Sequence, residues 1–101
     1  MKLRVGQALA SAVDTTTVIV VRVPDGDVDL TCGGVAMVVK GDTAPDAAPD
    51  PQLMGGSLVG KRYVDVDGTL EVLCTKPGAG TLALDGKPLM IAEAKSLPSS
   101  D

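Results

Sequence analysis

Residues 15–23 read TTTVIVVRV, and every position of this run except Arg22 is β-branched. Such side chains lose rotamers against the preceding turn of a helix and pack well on a pleated surface, so the run is a strand. Asp14 bounds it on one side and Pro24, Asp25 and Gly26 on the other. Apolar residues fall on both parities of the run, which predicts the central strand of a sheet, covered on both faces.

The rest of the chain follows the same grammar. Residues 28–32 alternate, with Val28, Leu30 and Cys32 on one face and Asp29 and Thr31 on the other, as a half-buried strand does. Gly33 and Gly34 punctuate the chain before a short apolar strand over residues 35–39, and the two segments read as a hairpin. Residues 41–52, GDTAPDAAPDPQ, contain no branched apolar side chain and read as a solvated loop. A weak, glycine-interrupted apolar segment follows over residues 53–59, then a strand over 63–66 leading into the Asp67-Gly68 turn. Residues 70–74 alternate again, with Leu70, Val72 and Cys74 on one side. Strands over 81–84 and 89–91 flank a turn at Asp85, Gly86, Lys87 and Pro88. A single helical turn is expected over residues 92–95, before a flexible tail over 96–101. The predicted fold is all-β in one domain spanning residues 1–101: a small β-sandwich or open barrel of about seven or eight short strands, built from two related hairpin units.

With no Phe, no Trp and Tyr63 as the single aromatic residue, the core must be packed from Val, Leu, Ala and Met. The net charge of −4 and the lack of any basic run longer than Lys61-Arg62 argue against nucleic acid, whose binding rests on phosphate neutralisation and aromatic stacking. Lys2 and Arg4 precede apolar residues near the start, but Gly6 and Gln7 interrupt the stretch before it reaches the length of a secretory signal. No segment approaches the apolar length of a membrane helix. A small soluble cytoplasmic protein without membrane contact is expected.

Residues 25–32, DGDVDLTC, align without a gap on residues 67–74, DGTLEVLC, so that the two cysteines of the chain fall in register. This predicts a duplicated unit packed about a pseudo-twofold axis, with Cys32 and Cys74 at related positions. Within the first copy, Leu30-Thr31-Cys32-Gly33-Gly34-Val35-Ala36-Met37 resembles the L-x-C-C-G-x-x-M segment of desulforedoxin-like small iron proteins, with Gly33 where the second cysteine belongs. A fainter echo runs over residues 80–89, where Leu84 and Asp85 replace both cysteines. The resemblance implies a small all-β fold and an iron site of four thiolates. The upstream C-x-x-C pair of that family is missing, so such a site is not buildable within one chain.

Cys32 and Cys74 are the residues singled out, and three uses stay open for them. They are buried apolar thiols, or a disulfide, or metal or redox groups. With no histidine in the chain, zinc or iron would need two chains contributing two thiolates each. The absence of histidine, of a nucleophile elbow and of a phosphate loop makes an enzyme the least expected class. Asp14, Asp25, Asp27 and Asp29 lie near turns but lack the spacing of an EF-hand, and Asp65 and Asp67 bracket a turn in the same manner. The leading expectation is a non-catalytic accessory or interaction module without a cofactor. It binds a partner protein or its own copy, with the long acidic loop and the sheet edges as candidate surfaces. The alternative is a two-cysteine redox or metal-binding protein.

Overall fold

The computed structural model describes residues 2–44 and 46–92. Ten short strands appear in it: β1 Ala8–Ala10, β2 Thr17–Arg22, β3 Leu30–Cys32, β4 Val35–Ala36, β5 Val38–Val39, β6 Arg62–Val64, β7 Glu71–Lys76, β8 Leu82–Leu84, β9 Lys87–Pro88 and β10 Met90–Ile91. All pair antiparallel, in a six-stranded sheet of order β10-β6-β7-β2-β1-β5 and a four-stranded sheet of order β4-β3-β8-β9. The fold is thus all-β and sandwich-like, and no helix of the described residues is long and apolar enough to cross a membrane. The helical turn expected over 92–95 lies, apart from Ala92, outside the described residues, as does the expected tail.

The expected strand over 35–39 is split between the sheets, and the one expected over 89–91 is preceded by a further strand in the expected turn. Residues 35–39 break at Met37, so that β4 joins the small sheet and β5 the large one; Leu89 divides β9 from β10 in the same way. Both dividing side chains turn into the core, Met37 at 1% and Leu89 at 9% exposure, and burial at the crossing is what bends the strand. The expected turn at residues 85–88 is correspondingly narrower. Asp85 and Gly86 alone make it, both at positive φ, as do Gly33 and Gly34, which is the requirement of a two-residue type I′ hairpin. Pro88 is tolerated because β9 is an edge strand.

The strand ladders do follow a pseudo-twofold pattern, but in a register that differs from the one read at Asp25 and Asp67. Strands β1 and β2 correspond to β6 and β7 at an offset of 54, as Leu9 to Tyr63 and Val18 to Val72. Strands β3, β4 and β5 correspond to β8, β9 and β10 at an offset of 52, as Leu30 to Leu82 and Val38 to Met90. Loop hydrogen bonds repeat with the strands: Gly6 N–H donates to Val20 O and Gly60 N–H to Cys74 O, both at 2.8 Å. Met37 N–H donates to Leu30 O at 3.0 Å and Leu89 N–H to Leu82 O at 2.8 Å. The pseudo-twofold axis passes through the β2–β7 pair Ile19 and Leu73 and the β3–β8 pair Thr31 and Ala83. Cys32 therefore corresponds to Leu84 and Cys74 to Val20, so the two cysteines are not equivalent. The alignment at an offset of 42 matched a turn followed by an alternating strand, a pattern that any two strands of a sheet can share.

The core gathers inward residues of both sheets, among them Leu9, Val18, Val20, Leu30, Leu70 and Val72. Strand β2 is central, but only one of its faces is covered: Val18 and Val20 are buried, whereas Ile19 and Val21 remain 37% and 38% exposed. Residues 41–44 and 46–50 form no strand or helix, and Pro51–Leu53 form a 3-10 turn capped by the Asp50 side chain, which accepts from Gln52 N–H at 2.9 Å. Because Met37 fills the crossing with a fully buried side chain, Met37→Ala is expected to destabilise the fold by about 2–5 kcal/mol, measured as a lowered midpoint of urea unfolding.

Candidate functional site

Cys32 ends β3 and Cys74 lies in β7, in different sheets, and both are free thiols turned into the core at 0% and 1% exposure. Cys74 sits opposite Val18, and its Sγ donates to Lys76 O at 3.1 Å. Cys32 Sγ stands 3.9 Å from both carboxylate oxygens of Asp14. Among the described residues, no group of three or more His, Cys, Asp or Glu side chains is gathered closely enough to hold a metal ion. A thiolate site shared by two chains needs sulfur at a surface, and the burial of both thiols weighs against it.

What surrounds Cys32 is a clip between the two halves. Ser11 Oγ accepts from Val13 and Asp14 N–H at 3.1 and 3.2 Å, which fixes the turn before β2. Asp14 Oδ1 accepts from Thr16 N–H at 2.9 Å, while Oδ2 accepts from the N–H of Gly80, in the loop between β7 and β8. A side chain at position 80 has no room, since its Cβ would lie 2.6 Å from Cys32 Sγ and 2.9 Å from Gly33 N. Burial raises the pKa of Asp14, but the hydrogen bonds from Thr16, Ser11 and Gly80 outweigh it and hold the carboxyl below its ordinary value. Burial pushes the Cys32 thiol up, and the Asp14 charge adds to it against the hydroxyls of Ser11 and Thr16. Cys74 is raised chiefly by burial as well. Neither thiol is activated for nucleophilic or redox chemistry, which requires the thiolate.

The symmetry mate of this clip is built from different residues. Gly68 stands where Asp14 stands, Val28 where Gly80 stands and Leu84 where Cys32 stands, by the offsets established from the ladders. Gly68 has no carboxylate to offer, the Asp85 carboxylate instead accepts from Asp29 N–H at 2.9 Å, and a groove of about 320 Å³ lies there, with Val28 and Leu84 among its lining. Asp25, Asp27, Asp65, Asp67 and Asp85 also line it. The turn aspartates noted in the sequence thus divide: Asp25 and Asp27 meet Asp65 and Asp67 across the groove, and Asp14 is at the other pole. Burial acts to raise the pKa of Asp65, but hydrogen bonds from the Leu70 N–H and from Thr69 prevail and lower it.

Ser11, Asp14 and Gly80 were not assigned to one site by sequence reasoning. Their signal lay in the glycine pair of KPGAG, where Gly78 and Gly80 both face residues of the turn before β2. Comparison with protein-family models, with curated proteins and with solved structures gives no match. The two segments that carry the likeness to desulforedoxin-like proteins are the symmetry-related hairpins β3-β4 and β8-β9.

Two outcomes follow. Asp14→Asn is expected to cost about 1–3 kcal/mol at neutral pH, because it removes a charged acceptor from several donors. Since the folded-state pKa values of Asp14 and Asp65 are lowered, their stabilisation is complete above the unfolded carboxyl value near 3.8 and is lost as pH falls through the folded values. Urea unfolding from pH 7 down to about pH 2 checks both statements, the acid-side slope being shallower in the variant. In a thiol-titration assay at neutral pH, the native protein is expected to react slowly and the unfolded protein to release two thiols promptly.

Proposed function

We propose that this chain is a non-catalytic interaction module that meets a partner protein, or its own copy, through the outer face of the six-stranded sheet. The observation that carries this is β2, whose sequence is apolar on both faces while the fold covers one. Ile19 lies beside Leu73 and Ala8 on the outer face, and Val64 pairs there with Met90, which is 52% exposed. The Arg62–Glu71 ion pair, 3.4 Å, lies between these two apolar patches, so the face offers a partner apolar surface with a charged pair in its middle. The edges serve less well than sequence reasoning expected. Each edge strand has two residues, and Pro88 removes a donor from one of them, so little main chain is offered for strand addition.

Other features agree with a module that carries out no reaction. The chain has no histidine, the Asp14 carboxylate accepts from the N–H groups of Thr16 and Gly80, and both thiols are buried and protonated at neutral pH. Two unpaired thiols also suit the reducing, cytoplasmic setting we propose. Ile19→Lys places a charge on the exposed side of β2, where it is expected to change stability by less than about 0.5 kcal/mol. Sedimentation velocity over a wide concentration range, with and without a protein captured by the wild type, should show association for the wild type and its loss in Ile19→Lys. Equal association of the two proteins would remove this face from the assignment.

A further inference from the structure

The pseudo-twofold axis divides the outer face of the six-stranded sheet into two halves of unequal bulk. Ile19 and Leu73 stand at the axis, paired with each other. Away from it, the offsets relate Ala8 to Arg62, Ala10 to Val64, Thr17 to Glu71 and Val38 to Met90. In every one of these pairs the larger side chain belongs to the half made of β6, β7 and β10. The eight residues share the outer face because their strand neighbours Leu9, Val18, Tyr63 and Val72 turn into the core. Arg62 keeps 62% of its side chain exposed and Met90 is 52% exposed, whereas Ala8, Ala10 and Val38 are half-buried. One half of the face is raised and the other is shallow.

Such a surface is its own complement. A second copy, turned over about an axis parallel to β2 and β7 and centred between them, lays β2 over β7, β1 over β6 and β5 over β10. The raised half of each copy then covers the shallow half of the other. Arg62 comes to rest over Ala8, and Ile19 and Leu73 of both copies meet at the centre. Glu71 is turned toward the position of its own ladder partner, Arg22, in the second copy, a charge of opposite sign. An axis running across the strands instead lays β6 on β6 and sets Arg62 against Arg62, which like charge disfavours.

We propose that the partner of the outer face is a second copy of this chain, stacked sheet on sheet about a twofold axis parallel to β2 and β7. The proposal rests on the assignment of this face as the interaction surface, and it names the occupant. Arg62 enters the contact already paired with Glu71, so a neutral pair is covered in place of a lone charge. The second apolar face of β2 gains a layer of the same kind as the one beneath it, a sheet packed on a sheet. Six strands about 4.8 Å apart span about 24 Å, the scale of a small reversible contact, so dissociation is expected in the micromolar range.

The test uses the full chain, as wild type and as Ile19→Lys and Ala8→Arg, both substitutions on the outer face. Sedimentation equilibrium of the wild type is expected to show monomer and dimer in exchange. Ala8→Arg sets a like charge against Arg62 of the second copy and is expected to weaken the dimer by at least about tenfold, with a native amide spectrum. An isotope-filtered NOE experiment on mixed labelled and unlabelled wild-type chains needs no variant. Within one chain β1 and β6 are three strand spacings apart, about 14 Å, so contacts from Arg62 to the Ala8 methyl group arise between copies. Those contacts are expected. Contacts from Arg62 to Arg62, no self-association at millimolar chain, or a dimer that Ala8→Arg leaves unchanged overturn the proposal. Amide shifts at residues 93–101 on introducing Ile19→Lys into dilute chain assign the face to the chain's own end and likewise overturn it. A monomeric wild type that binds another protein, with the binding lost in Ile19→Lys, overturns the second copy as occupant and keeps the face. Association that Ile19→Lys leaves intact removes the face itself, so the two readings fail separately.

Discussion

Two antiparallel ladders across the pseudo-twofold axis, β2 with β7 and β3 with β8, hold the molecule together. Each half has its own hairpins, but no half has a sheet of its own: the six-stranded sheet takes three strands from each, and the four-stranded sheet takes two. A chain of about 100 residues with a single aromatic side chain has little hydrophobic surface per residue to bury, and hydrogen-bonded pairing across the axis compensates for it. The β-branched stretch of β2 is therefore a structural requirement at the centre of the larger sheet. Its second apolar face is a by-product that the monomer leaves open.

The two poles of this pseudo-symmetric pair differ. At one, Asp14 replaces what is Gly68 in the second half, and Gly80 replaces what is Val28, so that a carboxylate crosses between halves and seals the space beside Cys32. At the other, Gly68 has no side chain to offer at the position of Asp14, and the Asp85 carboxylate accepts from Asp29 N–H. The buried cysteine belongs to the sealed pole as packing: desolvation and the adjacent carboxylate both keep it protonated. A position that resembles a metal ligand in a short sequence pattern is thus occupied by a small apolar side chain, as Leu84 is in the other half.

Much of the fold was legible in residue patterns. The alternation at Leu70, Val72 and Cys74, the β-branched run and the two hairpin turns all correspond to observed elements. Strand splitting at Met37 and Leu89 was not legible, because a crossing between sheets leaves the apolar pattern continuous and changes only the direction of the backbone. The repeat was read in the wrong register for a related reason. Equivalent positions such as Ala8 and Arg62, or Cys32 and Leu84, share location without sharing chemistry, and a two-residue difference between β2–β3 and β7–β8 breaks the alignment. The faint echo over residues 80–89 carried the true correspondence. The Asp14 clip was hidden because its members, Ser11, Asp14, Cys32 and Gly80, are dispersed along the chain and meet only when the halves pair.

Residues 49–55 are seated on the β3-β4 turn, where Asp50 N–H donates to Gly33 O at 2.8 Å, and are tethered at both ends, by β5 before them and β6 after them. Tethering of this kind corresponds to an effective concentration on the order of millimolar, so a few backbone hydrogen bonds suffice to keep such a segment in place. The same contacts offered to a free chain have no such advantage. The hold on residues 49–55 at this pole is therefore a property of the chain's connectivity as much as of the contacts themselves.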